Sequence, residues 1–315
     1  MELLTKIQLP APNFNMVHED GIVLFGSCFS DNIGNKLLNA GFNTMINPFG
    51  IMYNPISIFK SIKQIFNNEL ATENDLILYK DIYHSLAHHG QFSDNDKQRL
   101  LTNINYKIDD ANKKTIGAKY VIFTLGTSFV YTYNETKSIV ANCHKLPQQF
   151  FEKRILSIEE IKTSFNTVAS LLKDKTILFT VSPVRHWRDG AMQNQRSKSI
   201  LIESIYQLIA ENSNCHYFPS YEIMMDELRD YRFYAADMLH PNEIAVNYIW
   251  EKFSASYFSD ETIALIKFID KGRQLFNHRV MKNNSTENEL FEHKKKEFKT
   301  QFKTKYPTIK LDFIE

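Results

Sequence analysis

Two short segments, far apart in the chain, contain the residue types that acyl-transfer chemistry uses. One is the segment 26–30, with the sequence Gly-Ser-Cys-Phe-Ser, and the other contains Asp237 and His240. Asp237 lies three positions before His240, and this spacing in a turn allows its carboxylate to accept a hydrogen bond from the imidazole Nδ1–H, fix the tautomer and stabilise the imidazolium. Nε2 is then free to take a proton from a hydroxyl. The alternative is that Asp237 caps the following helix and that His240 is a bystander.

The nucleophile candidates lie in the first segment. Ser27 follows an apolar strand and precedes a helix, so its hydroxyl can be exposed while backbone N–H groups hold an oxyanion. The simpler interpretation is that Ser27 or Ser30 only caps that helix, and Ser30 or Asp31 is a suitable N-cap. Cys28 competes because a helix N-terminus lowers a thiol pKa. Cysteine is among the most buried residue types, however, so we expect Cys28 to point into the fold and Ser27 to be the nucleophile.

These segments need a scaffold, and the apolar pattern predicts one. Short apolar runs alternate with helical segments, which is typical of a parallel sheet covered by helices on both faces. The fold class is therefore α/β, a three-layer α/β/α sandwich with about five strands. The predicted strands are 21–25, 42–46, 120–125, 175–181 and 215–218. The predicted helices follow residue 30 and cover 55–66, 157–172, 194–209 and 241–253.

Two segments interrupt the alternation, and it stops after residue 256. We expect residues 67–116 and 128–156 to be insertions over one end of the sheet. Residues 262–276 and 287–302 have helical spacing, and the second helix is basic. The sequence therefore predicts a catalytic domain over residues 1–260 and a helical, basic extension over residues 261–315.

Composition narrows the function classes. Residues 271–315 contain 11 Lys/Arg and 6 Asp/Glu, a net charge of +5, so the net charge of +1 for the 315-residue chain leaves 1 − 5 = −4 for the rest. A solvated basic helix face explains this tail, and we expect no nucleic acid and no membrane partner. No long apolar run or secretory signal is evident, and the three cysteines are scattered, so we expect a cytoplasmic protein.

The first segment also carries a resemblance. It resembles the sequence that names the GSCFA family, with Ser30 where the name has Ala, and the arrangement from about residue 20 to 255 is similar to the SGNH/GDSL hydrolase superfamily. The resemblance implies that Ser27 is the nucleophile, His240 the general base and then acid, and Asp237 its orienter. It implies a serine esterase, acyl hydrolase or acyltransferase that acts without a cofactor on a small-molecule or carbohydrate ester.

The same resemblance implies an oxyanion hole, and here the sequence departs from the superfamily. Gly50 matches the glycine that supplies a backbone N–H, but Ser128 stands where an asparagine side chain is usual, and Asn142 is the possible substitute. Gly26 also replaces the usual aspartate before the serine. Loss of one oxyanion donor costs about 10²–10³ in rate. The alternative function is therefore a non-catalytic ligand-binding protein on the same fold.

Other polar side chains could contact a substrate. His89 lies in an inserted loop beside His88, and we expect it to line the pocket, because adjacent histidines without further ligands seldom hold a metal. Arg185 follows a predicted strand and could bind a carboxylate or phosphate, or it could pair with Asp189. The sequence predicts no metal site, and it leaves the oligomeric state, the ester and the acyl acceptor open.

Overall fold

A five-stranded sheet forms the centre of the molecule. The computed structural model describes residues 5–9, 12–278 and 285–314, with side chains from residue 289 onward in the last range. The strands are β1 (Ile22–Gly26), β2 (Thr44–Ile46), β3 (Ile77–Tyr79), β4 (Ile82–His84), β5 (Ser93–Asp94), β6 (Tyr120–Leu125), β7 (Phe129–Tyr133), β8 (Ile139–Val140), β9 (Phe151–Ile155), β10 (Thr176–Val181) and β11 (Cys215–Tyr217). The helices are α1 (Cys28–Asn39), α2 (Pro55–Phe66), α3 (Lys97–Gly117), α4 (Ile158–Ala169), α5 (Gly190–Glu211), the short α6 (Ser220–Glu222), α7 (Glu243–Tyr257), α8 (Asp260–Asn277) and α9 (Ser285–Lys305).

The central sheet is parallel and has the order β11-β10-β6-β1-β2. Gly26 at the end of β1 lies opposite Thr124 of β6, and Val181 of β10 lies opposite Leu125. The strands therefore end side by side. We call the residues that follow these ends the carboxyl edge, which is where open α/β sheets bind ligands.

Helices cover both faces of the sheet, because successive strand side chains point to opposite sides. Val23, Phe25 and Phe123 pack against α2, α3, α4 and α5 in one buried cluster. Ile22, Leu24 and Ile122 pack on the other face against α1, α7 and the start of α8. The predicted three-layer α/β/α sandwich is confirmed.

Two predicted helix starts are wrong. Helix α1 begins at Cys28 with Ser27 as its N-cap, so neither Ser30 nor Asp31 caps it. Helix α7 begins at Glu243, because the side chain of Asn242 accepts a hydrogen bond from the amide of Ala245. In both cases the side chain that satisfies the first free amides, rather than the first apolar residue, decides where the helix starts.

The two segments that interrupt the alternation each contain a small antiparallel sheet. Strands β3, β4 and β5 form the first, and β8, β7 and β9 form the second. The bounds of the two insertions stay predictions, but the first segment also contains α3, whose Ile104 and Ile108 are fully buried in the main core. Its polar face obscured an apolar stripe with helical spacing.

The last helices form their own apolar cluster. Leu265 and Ile269 of α8 pack with Phe298 and Phe302 of α9. Ile266 of the same α8 packs on the body, so α8 joins this cluster to the sheet. The domain boundary near residue 260 stays a prediction. In the described ranges, no helix is both long and apolar enough to cross a membrane.

Gly26 provides a stability test of the strand register. Its φ is +143°, and a Cβ atom there would lie 2.1 Å from the carbonyl oxygen of Thr124. We expect Gly26→Ala to lower the free energy of unfolding by at least about 3 kcal/mol, because backbone strain and a backbone clash add. Urea unfolding measures this.

The matched control is Gly117→Ala at the end of α3, where a Cβ atom would meet nothing within 4 Å. Alanine is the better helix former, so this change should leave stability unchanged or raise it by up to about 1 kcal/mol. Equal effects of the two substitutions would contradict the close approach of β1 and β6 at Gly26.

Candidate active site

The turn after β1 is held by backbone hydrogen bonds. The amide of Gly26 donates to the Asn47 side-chain oxygen at 2.8 Å, and the carbonyl of Gly26 accepts from the amide of Met52 at 2.9 Å. The Asn47 side chain also donates to Asp31 of α1 at 2.7 Å. The start of α1 therefore has a fixed position at the carboxyl edge.

Ser27 and Cys28 differ in exposure. The sequence predicts that Ser27 is exposed and that Cys28 is buried, and the structure shows the reverse. Ser27 is 1% exposed, and its Oγ accepts from the amide of Phe29 at 3.3 Å as the N-cap of α1. Cys28 is the first residue of the helix and is partly exposed. Burial and then the carboxylate of Asp31 raise the pKa of the Cys28 thiol, while its own amide, the Phe29 amide and Lys198 oppose that rise.

Asp237 and His240 form the predicted pair. Nδ1 of His240 lies 2.6 Å from Oδ2 of Asp237, and the other carboxylate oxygen accepts from the amides of Leu239 (2.9 Å) and His240 (3.0 Å). The amide of His240, then that of Leu239 and then the imidazole hold the pKa of Asp237 down at about 2. Asp237 is therefore ionised near neutral pH and orients the imidazole with Nε2 available.

The structure brings Asp237 and His240 together, but not the complete predicted triad. Within the ranges that the structure describes, no hydrogen bond joins His240 to Ser27 or to Cys28. The loop after β10 connects the two parts of the site from the other side. Its Arg185 amide donates to the carbonyl of Leu239 at 3.3 Å and so holds this loop beside the Asp237–His240 turn.

A buried lysine lies under the carboxyl edge. Lys198 of α5 is 1% exposed, and its Nζ donates to the carbonyls of Gly126 (2.8 Å) and Ser182 (2.7 Å), which follow β6 and β10. Burial lowers the pKa of Lys198 to about 7, while Cys28 and Glu222 in their charged forms act against that decrease. The two carbonyl acceptors also favour the ammonium form.

His186 is a site residue that the sequence analysis missed. It follows β10 in the same loop as Arg185, and its ring lies edge-on against the ring of Tyr53 at 5.1 Å. Burial, with further contributions from Lys198 and His240, lowers the pKa of His186 to about 4. His186 is therefore neutral near pH 7, and its position directly after a strand was the signal that could have identified it.

A cavity of about 480 Å³ lies between this loop and the second small sheet. Its charged lining residues are Lys145, Lys153 and Arg188, together with one carboxylate, Asp189. The rest of the lining is apolar, aromatic or uncharged polar; it includes Tyr53, Phe129, Tyr131, Val140, Leu146, Phe151, Thr127, Cys143, His186 and the predicted Asn142.

The structure bears on one of the two alternatives left open for Arg185, its pairing with Asp189, while the binding of a substrate anion stays a prediction. Asp189 pairs with Lys153, so the side chain of Arg185 has a different neighbour. Its guanidinium lies over the ring of Trp187, with 5.0 Å between the guanidinium carbon and the ring centre.

Two of the predicted oxyanion donors, the Gly50 amide and the Ser128 hydroxyl, are engaged in the protein itself, whereas Asn142 is engaged only through its acceptor oxygen. The amide of Gly50 donates to the carbonyl of Asn47 at 2.7 Å. Ser128 is fully buried, and its hydroxyl lies 3.1 Å from that of Ser197. Asn142 accepts from the amide of His144 at 2.7 Å through its side-chain oxygen.

The two adjacent histidines have separate surroundings. The amide of His89 donates to the carbonyl of Phe49 at 2.9 Å, and His89 acts on the pKa of Asp31, so it lies near the start of α1. His88 is 1% exposed, and its Nδ1 lies 2.7 Å from the hydroxyl of Ser85. Among the described residues, no group of three or more His, Cys, Asp or Glu side chains is arranged to hold a metal ion.

Comparison with known proteins gives one match. The model of the GSCFA family matches residues 21–253, a range that contains all five strands of the central sheet, the turn at Gly26 and the Asp237–His240 pair. No curated protein matches the chain.

Lys198 gives a pH-dependent test of the buried charge. Its pKa of about 7 in the folded protein lies below the value of about 10.4 for an exposed lysine, so the unfolded chain binds more protons between these pH values. The stability contributed by this group therefore rises with pH across that interval. We expect Lys198→Met to remove that rise, measured as the difference in urea unfolding free energy between pH 7 and about pH 9.5.

Lys173→Met is the control, because Lys173 is exposed near the opposite, amino-terminal end of β10. It should keep the pH dependence of the unsubstituted protein. The same pH dependence in Lys198→Met would show that Lys198 has an ordinary pKa.

Proposed function

Because the chain belongs to the GSCFA family, we propose that it is an acyl hydrolase or acyltransferase that forms a covalent acyl-enzyme at the carboxyl edge of its sheet. Asp237 orients His240, and His240 is the general base and then the general acid. A side chain of the turn after β1 is the nucleophile, for which the sequence predicts Ser27. The observation that carries the proposal is the 2.6 Å contact between His240 and a carboxylate that two backbone amides hold in place.

The proposed reaction has two steps. His240 Nε2 takes the proton of the nucleophile, the nucleophile attacks the ester carbonyl carbon, and the alcohol leaves with the proton from the imidazolium. Water or an acceptor hydroxyl then attacks the acyl-enzyme by the same route, which releases the acyl group and returns the proton to the nucleophile. The N-terminus of α1 places positive potential at the turn, where negative charge develops on the carbonyl oxygen.

The cavity supports a proposal for the substrate class. Three cationic side chains and one carboxylate give it a net positive lining, and its aromatic side chains provide apolar contact area. We propose a small ester that carries a negative charge in the portion that this cavity holds; the lining includes His186 of the loop beside the Asp237–His240 turn, but none of Ser27, Cys28, Asp237 or His240. An acylated carbohydrate with an acidic group is one substrate of this class.

A second candidate function has one observation in its favour. The Gly50 amide and the Ser128 hydroxyl already have partners, as they would in a ligand-binding protein with a degenerate oxyanion hole. Anionic esters that raise the melting temperature without being hydrolysed would favour this binding function. Turnover that depends on His240 would exclude it.

Substitution of His240 tests the general base directly. We expect His240→Ala to lower kcat/KM for p-nitrophenyl acetate by about 10²–10⁴, because the nucleophile loses its proton acceptor. Asp237→Asn should also lower it, since the imidazole loses the partner that fixes its tautomer. The release of p-nitrophenol measures both effects.

The matched control is His293→Ala on α9, where the histidine is exposed and distant from the sheet edge. It should keep the rate of the unsubstituted protein. If His240→Ala also keeps that rate, the proposed function is wrong.

Arg188 tests the charge preference of the cavity. We expect Arg188→Glu to raise KM for the p-nitrophenyl monoester of succinate by about tenfold, because a positive charge near the ligand becomes a negative one. The KM for neutral p-nitrophenyl acetate should change little. Lys173→Glu makes the same charge change near the amino end of the sheet and should affect neither ester. Equal effects of Arg188→Glu on the two esters would contradict an anionic substrate.

A further inference from the structure

We propose that Cys28, rather than Ser27, is the nucleophile that carries the acyl group. This inference rests on the proposed acyl-transfer function and assigns its covalent step to a different atom. It follows from the arrangement of two neighbouring side chains at the start of α1: Ser27 caps the helix, whereas Cys28 is partly exposed.

Ser27 has a structural role as the N-cap of α1. Its hydroxyl accepts the amide of Phe29, its own amide donates to the carbonyl of Thr124 at 3.1 Å, and its side chain is buried. Gly26 holds the preceding backbone too close to β6 for the turn to rotate freely. For Ser27 to attack, its hydroxyl would have to give up the hydrogen bond from the Phe29 amide and become exposed to the substrate, although the side chain is buried.

Cys28 has the position that a nucleophile needs. It is the first residue of a twelve-residue helix and is partly exposed. The amides of Cys28 and Phe29 stabilise a negative charge on its sulfur. The amide of Phe29 already donates to Ser27, so the amide of Cys28, at the positive end of the helix dipole, is the one that can hold the charge that develops during attack.

Lys198 connects the thiol with the other half of the site. Its Nζ donates to the carbonyl of Ser182, which begins the loop that carries His186 and contacts the turn of His240. Lys198 therefore lies under the edge at which both halves of the site are placed, and its charge acts on the thiol of Cys28. The buried positive charge favours a thiolate near it, and Lys198 is in this respect a positioning residue.

The thiol needs a base, which the proposed function supplies. Burial and Asp31 hold the pKa of Cys28 above its ordinary value, so the sulfur is protonated at rest. His240 takes that proton, and Sγ attacks the ester carbonyl carbon to form a C–S bond. The ester C–O bond breaks, and the alcohol leaves with the proton from His240. Water or an acceptor hydroxyl then gives a proton to His240 and attacks the thioester, which breaks the C–S bond and returns the proton to the sulfur.

Trapping the acyl-enzyme tests the assignment. The full chain is mixed with p-nitrophenyl acetate, quenched in acid and mapped by peptide mass spectrometry. We expect an acetyl group on Cys28 that neutral hydroxylamine removes, as it removes a thioester. We expect Cys28→Ala to lose this label and to lower the rate of p-nitrophenol release by at least about 10².

Three variants make the result specific. Ser27→Ala should keep the label and stay within about fivefold of the original rate, although loss of the cap lowers its melting temperature. Cys143→Ala should keep the label on Cys28; the label alone is compared for this variant, because Cys143, the other partly exposed cysteine among the described residues, also lines the cavity. Cys28→Ser keeps the size of the side chain, and any acetyl group on it should resist hydroxylamine.

Two results would overturn the inference. An acetyl group on Ser27, or full activity in Cys28→Ala, would assign the covalent step to Ser27 and leave the proposed function standing. If His240→Ala turns over the ester as fast as the unsubstituted protein does, the proposed function is wrong, and the inference is wrong with it.

Discussion

The hydrogen bonds from the ammonium group of Lys198 to Gly126 and Ser182 are the interaction on which the carboxyl edge depends. A buried cation is costly unless it is paired or hydrogen-bonded, so these two carbonyls must stay where they are. They begin the loops after β6 and β10. The loop after β6 leads to the small sheet of β7, β8 and β9 beside the cavity. The loop after β10 carries His186 and contacts the turn of His240. One buried charge therefore fixes three parts of the site relative to one another.

The turn at Gly26 and the Asp237–His240 pair are held in place by different interactions. The turn at Gly26 is held by the Asn47 side chain and by the backbone of Met52 and Thr124, and this fixes the position of a nucleophile there. The Asp237–His240 pair is about half exposed, so its geometry cannot depend on packing. Backbone amides take the place of packing there, since they hold the carboxylate and keep it ionised. A bound substrate would cover this pair and strengthen its electrostatic interactions.

Local patterns predicted the parts of the molecule whose interactions are local. The sequence predicts the five strands because each is a short apolar run, and it pairs Asp237 with His240 because they lie three positions apart. Helix α3 was missed since its buried residues are scattered through a polar segment. Lys198 and His186 were missed for a different reason. A lysine in a helix pattern predicts exposure, and the carbonyls that bind Lys198 are distant in sequence, so only the fold shows them.

The motif after β1 contains two adjacent nucleophilic residues, Ser27 and Cys28, and the sequence alone does not distinguish between them. A serine between a strand and a helix fits both a nucleophile and an N-cap, and the sequence cannot say where the helix begins. The hydroxyl of an N-cap turns back toward the free amides of the first turn, because it must satisfy one of them. The next side chain belongs to the helix and is free of that task. Once α1 begins at Cys28, capping and reactivity fall to neighbouring residues, and the thiol is the one that the fold leaves available.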